Sequence, residues 1–307
     1  MSENKGTLKI NFTIGFGNNL FQYCFGRLLA EHHNLNYSHR SIPEMAIDGQ
    51  HHDFNSDLQT LLISRGEHGD NIYHELFEEK YSNYNLLISE AYFEDYTLFA
   101  PYIDTIRSWF PKTYFPKNEK DVVLHLRLQN RLITKNHLSD QVTLAGYEKI
   151  LEQFDFECLH IVTDASQWEP YTAEDIELIL QQMKENNQFY SKRAPMEASL
   201  DYINSLIKGF EKYKPIVHFS RGETIKHSTA LKANFIEDFN LIRSFDKIIV
   251  HNSTFSWWAA VLSDASQVKV FEPWKPSKGI RNKNLGRTNY PNWTSWGTEE
   301  DLYDIVA

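Results

Sequence analysis

The chain has 307 residues, enough for one large core or for two domains of about 150 residues each. Hydrophobic residues make up 41% and charged residues 23% of the sequence, which is typical of a globular protein in water, and the formal net charge of −10 argues against nucleic acid as a partner. The two cysteines, Cys24 and Cys158, each lie in an apolar periodic segment, which indicates buried reduced thiols and a cytoplasmic location. No signal segment and no window of 18 apolar residues is visible, so we expect no transmembrane segment; a peripheral position at the inner membrane stays open.

The first half of the chain begins with a strand, a turn and a helix. Leu8–Phe12 alternates like a strand, Gly15-Phe-Gly17-Asn18 is a tight turn, and Asn19–His33 is an amphipathic helix. The glycines are similar to a dinucleotide-binding fingerprint, but Leu20 stands where the third glycine belongs, which disfavours a Rossmann dehydrogenase. A glycine turn before a helix still allows a ligand to approach the backbone closely.

The rest of the first half is less regular. Residues 34–68 are polar and rich in histidine, and we interpret His51-His52-Asp53 as a loop, because adjacent histidines in a strand point to opposite faces and make poor metal ligands. Leu86–Ser89 is predicted as a strand and Tyr92–Phe110 as a helix. Lys112–Lys120 has the composition of a linker, so we predict a first domain over residues 1–116 and a second over 117–307.

The second half alternates strands with helices, which indicates a mostly parallel sheet with helices on both faces. Its first predicted strand, Val122–Arg127, ends in His125 and Arg127 on one face. Because ligands of such sheets bind beyond the carboxyl ends of the strands, Arg127 is well placed to hold a diphosphate; the alternative is a surface arginine in a salt bridge. The further strands are predicted at Leu159–Thr163, Pro215–Phe219 and Val268–Phe271, and the helices at Ala145–Phe154, Ala173–Gln188, Glu197–Tyr213, Ala230–Phe245 and Glu299–Val306.

The stretch from Lys247 to Leu262, KIIVHNSTFSWWAAVL, is the most informative one. Its β-branched start is typical of a strand buried on both faces, and Phe255–Leu262 has the length of a packed helix. Asn252, Ser253 and Thr254 supply a turn and a helix N-cap between them, and this arrangement directs backbone N–H groups at an anion. The alternative is a capped core helix in which two tryptophans only fill space.

Four blocks of this sequence, in order, resemble the α-1,2-fucosyltransferase family, glycosyltransferase family 11. NSTFSWWAAVL matches the family's N-S-S/T-F-S-W-W-A/G-A-W-L closely, and GFGNNLFQYCFGRLLA looks like its G-x-G-N-Q-x-F-Q-Y-A-F-G opening; EAYFEDYTLFAPYIDTIRSWF and HIVTDASQWEP are weaker matches. The family's H-x-R-R-G-D is altered to His125-Leu-Arg127-Leu-Gln-Asn-Arg131. Related inverting fucosyltransferases need only H-x-R, and Arg131 is a candidate for the missing charge.

The resemblance implies an α/β fold of the GT-B type, with two Rossmann-like lobes, a cleft between them, the acceptor bound mostly by the first domain and GDP-fucose by the second. It implies inverting transfer of L-fucose to a hydroxyl of a glycan or oligosaccharide, in an α-1,2 linkage, with no metal and no other cofactor. Arg127 is expected to stabilise the leaving β-phosphate, while His125 holds the diphosphate or orients Arg127. The expected donor site further comprises Gly15, Gly17, Asn18, Asp238, Asn252, Ser253, Thr254 and Phe255.

Several alternatives stay open within this hypothesis. Asp238 and Phe255 are candidates for contacts with guanine, but an intrahelical ion pair would explain Asp238 equally well. The donor could be another GDP-deoxysugar and the acceptor a protein or a lipid-linked glycan. A glycan-binding lectin built on the aromatic residues, 14% of the sequence, would leave His125 and Arg127 unexplained. No D-x-D triplet occurs, and no general base can be singled out among the candidates Glu31, Glu90, Glu94, Asp95 and Asp164.

Overall fold

The computed structural model describes residues 5–13, 15–64, 72–78, 80–89, 92–93, 96–112, 116–185, 192–219, 231–251, 253–271, 290 and 292–305. The chain divides into two compact units, one formed by residues 1–112 and the other by residues 113–282 and 290–307. Each unit is built on its own sheet of parallel strands, which confirms the predicted α/β, GT-B-like fold class. The roles predicted for the two domains, and the cleft between them, stay predictions. No helix among the described residues has both the length and the apolar character needed to cross a bilayer.

The first unit is a four-stranded parallel sheet covered by one long helix. The strands lie in the order β2-β1-β4-β3, and the helix α1 buries Phe21, Cys24 and Leu29 along its length. The elements of this unit are β1 (Thr7–Ile10), α1 (Phe16–His33), β2 (Asn36–Ser38), β3 (Thr60–Ser64), α2 (Ile72–Glu78), β4 (Asn85–Ser89) and α3 (Ile103–Ser108).

One expectation for this unit is wrong, and one region that was left unassigned contains strands. The long helix predicted over Tyr92–Phe110 is broken among the described residues into 3₁₀ turns at Tyr96–Leu98 and Ala100–Tyr102, followed by the short α3. Pro101 lies at the start of the second turn, and because proline lacks an N–H group it cannot continue a helix that arrives from its N-terminal side. The polar region 34–68 was assigned no strand but contains β2 and β3; His51-His52-Asp53 does lie in a loop.

The second unit is a six-stranded parallel sheet in the order β10-β9-β8-β5-β6-β7. The strands are β5 (Asn118–Leu126), β6 (Leu159–Thr163), β7 (Ile216–Phe219), β8 (Phe245–Val250), β9 (Gln267–Phe271) and β10 (Trp293–Trp296). The helices are α4 (Gln129–Ile133), α5 (Lys135–Ser139), α6 (Leu144–Leu151), α7 (Ala173–Glu185), α8 (Met196–Phe210), α9 (Leu231–Arg243) and α10 (Thr254–Val261).

Most of these elements lie within a few residues of the predicted positions, but α4, α5 and β10 were not predicted. The terminal helix predicted over Glu299–Val306 is wrong beyond one 3₁₀ turn, Glu299–Asp301. The side chains of Thr298 and Asp301 cap this turn reciprocally, and Leu302 then forms an antiparallel bridge with Val142, which takes the chain out of a helical path.

The strand order places β5 and β8 side by side in the middle of the sheet. From β5 the chain proceeds outward through β6 and β7, and from β8 it proceeds outward through β9 and β10 in the opposite direction. This is the strand order of dinucleotide-binding sheets, in which ligands bind beyond the carboxyl ends of the two central strands. Both motifs singled out in the sequence, His125-Leu-Arg127 and the turn around Ser253, follow these two strands.

Candidate active site

His125 lies at the carboxyl end of β5 and is buried, with 8% of its surface exposed. Its ring centre is 5.3 Å from that of Phe255 on α10, and its Nδ1 atom is enclosed and has no hydrogen-bond partner among the described residues. Burial, together with the positive charge of Arg127, lowers the pKa of His125 to about 3. The imidazole is therefore neutral at physiological pH.

Arg127 is exposed, in contrast to the buried leucines on either side of it. The strand β5 ends at Leu126, so Arg127 lies one residue beyond it, and the predicted strand end at Arg127 is corrected. The prediction that Arg127 shares a face with His125 is corrected too, because the alternation of side chains applies only within a strand. Within the described part of the chain its guanidinium forms neither a hydrogen bond nor an ion pair, so the alternative of a structural salt bridge finds no support there.

The loop and helix that follow Arg127 are held from two sides. Asp164, just beyond β6, accepts hydrogen bonds from the backbone N–H groups of Leu128 (2.5 Å) and Gln129 (3.3 Å). At the other end of α4, the Ser199 hydroxyl donates to the carbonyl of Leu132 over 2.6 Å. Arg127 therefore projects from backbone that is fixed before any ligand binds.

A second arginine lies near the first. Burial lowers the pKa of His137 on α5 to about 4, and the charges of Arg131 and then Arg127 contribute in the same direction. Both guanidinium groups therefore act on one imidazole, and both neighbouring histidines are neutral at pH 7. This end of the sheet carries local positive charge in a chain whose net charge is −10, which favours a small anionic ligand. The sequence indicated Arg131 but gave no signal for His137.

Ser253 occupies the N-cap position of α10, as predicted, with φ −142° and ψ 123°. Its hydroxyl does not cap the helix, contrary to expectation: the oxygen is buried and has no hydrogen-bond partner among the described residues. The helix begins its own hydrogen bonds with the N–H of Trp257, which donates to the carbonyl of Ser253 over 3.1 Å. N–H groups of the first turn make no bond within a helix, so the end of α10 can receive an anion.

Phe255 lies in the first turn of α10 and Asp238 lies on α9. The half-buried Phe255 ring contacts Phe239 of α9 at 5.3 Å between ring centres, besides its contact with His125. Asp238, next to Phe239, is 8% exposed. Their contacts with guanine stay predictions. Trp257 and Trp258, by contrast, are fully buried core residues, as the space-filling alternative supposed for them.

Three predicted donor-site residues belong to the first unit. Gly15 precedes α1 with φ 99°, a conformation that favours glycine, so the helix begins at Phe16 and includes Gly17 and Asn18. Gly17 is buried and Asn18 half-buried. The helix was predicted to begin only at Asn19. The part of these residues in donor binding stays a prediction.

The remaining candidates from the sequence are either outside the described residues or placed as follows. Asn252, Glu90, Glu94 and Asp95 lie outside the described residues. Thr254 is the first residue of α10 and half-buried. Glu31, one of the candidate bases, accepts from Arg27 over 2.9 Å in the first unit.

Two units on parallel sheets form a GT-B-like fold, and in the second unit a strand end that carries Arg127 lies beside the start of α10. Residues 209–296 match the sequence model described as Glycosyl transferase family 11. This match spans less than a third of the chain; it supports a glycosyltransferase and agrees with the resemblance of the sequence motifs to this family. The match includes Asp238 and Ser253, but His125 and Arg127 lie before it. No curated protein matches the chain.

Proposed function

We propose that the protein transfers L-fucose from GDP-fucose to a hydroxyl group of a glycan, in an α-1,2 linkage and with inversion at C1. The observation that carries the proposal is the exposed guanidinium of Arg127, which has no partner among the described residues and follows a central strand of the sheet, beside the start of α10. A diphosphate bound there would meet a bidentate donor on one side and helix N–H groups on the other.

In the proposed step, the bond between fucose C1 and the β-phosphate oxygen breaks and its electron pair leaves with GDP. The acceptor oxygen forms the new bond to C1 from the opposite face, and its proton passes to solvent or to a phosphate oxygen. Negative charge grows on the departing phosphate, so the main requirement is a preorganised donor at that oxygen. Arg127 fills this role, and removal of such a donor typically lowers the rate by about 10²–10³-fold.

The neighbouring groups support Arg127 in distinct ways. His125 is enclosed and neutral, so it adds no competing charge and serves to shape the wall behind the arginine. Arg131 supplies a further positive charge, which acts with that of Arg127 on His137. The proposed reaction needs no metal, because two guanidinium groups offset the charge of the diphosphate.

We also propose a cytoplasmic location. Cys24 is buried, Cys158 is half-buried, and both are free thiols, which fits a reducing compartment.

The test combines ligand binding with turnover. GDP and GDP-fucose should raise the melting temperature, UDP should not, and EDTA should leave donor hydrolysis unchanged. Arg127→Ala should retain the fold but lose GDP-fucose hydrolysis by about 10²-fold or more. Arg193→Ala, which removes an arginine of the same unit paired with Glu177, is the control and should keep wild-type activity. Stabilisation by UDP instead of GDP, or full turnover by Arg127→Ala, would refute the proposal.

A further inference from the structure

We propose that Asp164 is a positioning residue that holds Arg127 at the diphosphate, and that it does not act as the general base. The inference rests on the function proposed above. It assigns a role to a carboxylate that the sequence offered only as one of several candidate bases.

The hydrogen bonds of Asp164 cross from one strand end to the next. Asp164 follows β6, the neighbour of β5, and one carboxylate oxygen, Oδ1, accepts from the N–H groups of both Leu128 and Gln129. The N–H of Leu128 belongs to the peptide group that joins it to Arg127. Fixing this peptide plane therefore fixes the backbone rotation that aims the arginine side chain.

The surroundings make this bond decisive for Arg127. Leu126 and Leu128 are each 1% exposed, so the residues on both sides of the arginine are anchored in the core. The turn that carries Asp164 is itself fixed, since the Thr163 hydroxyl oxygen accepts from the N–H of Ala165 over 3.1 Å. With both anchors in place, the main freedom left in the loop is the orientation of the peptide group that Asp164 holds.

A carboxylate also suits the start of α4. Leu128 is the N-cap residue of this helix and Gln129 its first residue, so the charge of Asp164 lies where the helix presents N–H groups. Asp164, just beyond β6, accepts from the N–H groups of the N-cap residue and of the first helical residue, which lie before the positions that an N-cap side chain serves.

Two substitutions separate holding from proton transfer. Asp164→Asn keeps an oxygen that can accept both N–H bonds but cannot take a proton, whereas Asp164→Ala removes the acceptor. If Asp164 positions Arg127, Asp164→Asn should hydrolyse GDP-fucose within about fivefold of wild type and Asp164→Ala should fall by about 10²-fold, the typical effect of a 1 Å misplacement. In an Arg127→Ala background, Asp164→Ala should cause no further loss, because the two residues act as a unit.

Asp175 provides a matched control in the same unit. It is half-exposed, like Asp164, and from the first turn of α7 its carboxylate accepts from the N–H of Thr172 over 2.8 Å; this helix carries no proposed site residue. Asp175→Ala should lose this local bond and keep wild-type turnover. A loss of turnover equal to that of Asp164→Ala would show that any loosened cap lowers activity, and would overturn the specific role of Asp164.

Hydrogen exchange gives a readout that needs no activity. The amides of Leu128 and Gln129 should exchange faster in Asp164→Ala than in wild type, and stay protected in Asp164→Asn. Equal loss of turnover in both variants would identify Asp164 as a base and overturn the inference, as would unchanged exchange in Asp164→Ala. Failure of wild-type protein to bind GDP would refute the proposed function instead, while the exchange data would still decide whether Asp164 holds the loop.

Discussion

Acidification should destabilise the second unit through His125, and replacement of this residue by phenylalanine should remove that part of the effect. The pKa of His125 is about 3 in the folded chain, against an ordinary value of 6.5, because the ring is buried beside Arg127. As the pH falls below 6.5, His125 binds a proton in the unfolded chain but stays neutral in the folded chain. Stability is therefore lost progressively between pH 6.5 and pH 3, and is fully present above this window.

The magnitude follows from the difference between the two states. A pH of 5 lies about 1.5 units below the ordinary pKa of histidine, so the imidazole of the unfolded chain is protonated while that of the folded chain stays neutral. At about 1.4 kcal/mol per unit, the free energy of unfolding should be about 2 kcal/mol lower at pH 5 than at pH 8 through His125 alone. His33, His39, His137 and His218 also have lowered pKa values and add to the total, so the prediction concerns the difference between wild type and variant.

Urea unfolding at pH 8 and pH 5, followed by tryptophan fluorescence, measures this difference. All tryptophans except Trp109 lie within residues 113–307, so the signal reports mainly on the second unit. Phenylalanine keeps a ring against Phe255, and any constant packing cost of His125→Phe cancels when the two pH values are compared. His32→Phe, an exposed change in the first unit, is the control. An equal pH effect in wild type and His125→Phe would mean that the buried ring takes up a proton, and would refute the argument.

Three further substitutions test the second unit and the packing in the first unit. Ser253→Ala should cost less than about 0.5 kcal/mol of stability, because the Ser253 hydroxyl makes no cap bond. Thr143→Ala should cost about 1 kcal/mol, because the Thr143 hydroxyl accepts from the N–H of Gly146 over 3.1 Å. Equal losses of stability in urea unfolding would contradict this prediction. Gly26→Ala should destabilise the first unit by about 1–3 kcal/mol, although alanine favours helices, because the new methyl group would overlap the buried ring of Tyr37. A raised melting temperature would show that this ring can move.

The strands of the second sheet could be predicted because their residues are buried on both faces. Runs such as Ile248–Val250 are apolar without interruption, and this signal belongs to the strand itself. The helices α4 and α5 have five residues each, too few for a periodic pattern to emerge. The strand β10, Trp293–Trp296, was not predicted because it is an edge strand of only four residues, too short for a clear alternation of apolar and polar side chains.

The position of a candidate residue could be predicted where its motif lies on one element, and could not be predicted where it depends on contacts between elements. His125, Arg127 and Ser253 follow directly from strand ends and a helix start. The hold of Asp164 on Leu128 could not be predicted, because it requires β6 to be the neighbour of β5, which the strand order decides. The influence of Arg131 on His137 likewise depends on how α4 and α5 pack.

Polar side chains in the second unit fall into two groups. One group forms hydrogen bonds to the backbone, and the other has a buried polar atom without a partner among the described residues. The Thr143 hydroxyl accepts a hydrogen bond from the N–H of Gly146, and the Ser199 hydroxyl donates one to the carbonyl of Leu132. Each bond gives a backbone polar group a partner. Ser253 and His125 are buried, yet each keeps a polar atom without a partner among the described residues. Buried polar atoms without a partner among the described residues also occur at Thr134 and Trp296, so they do not by themselves mark a functional region. The exposed Arg127 is different, because it makes no hydrogen bond or ion pair within the described part of the chain, so Arg127→Ala should lower activity more than it lowers stability.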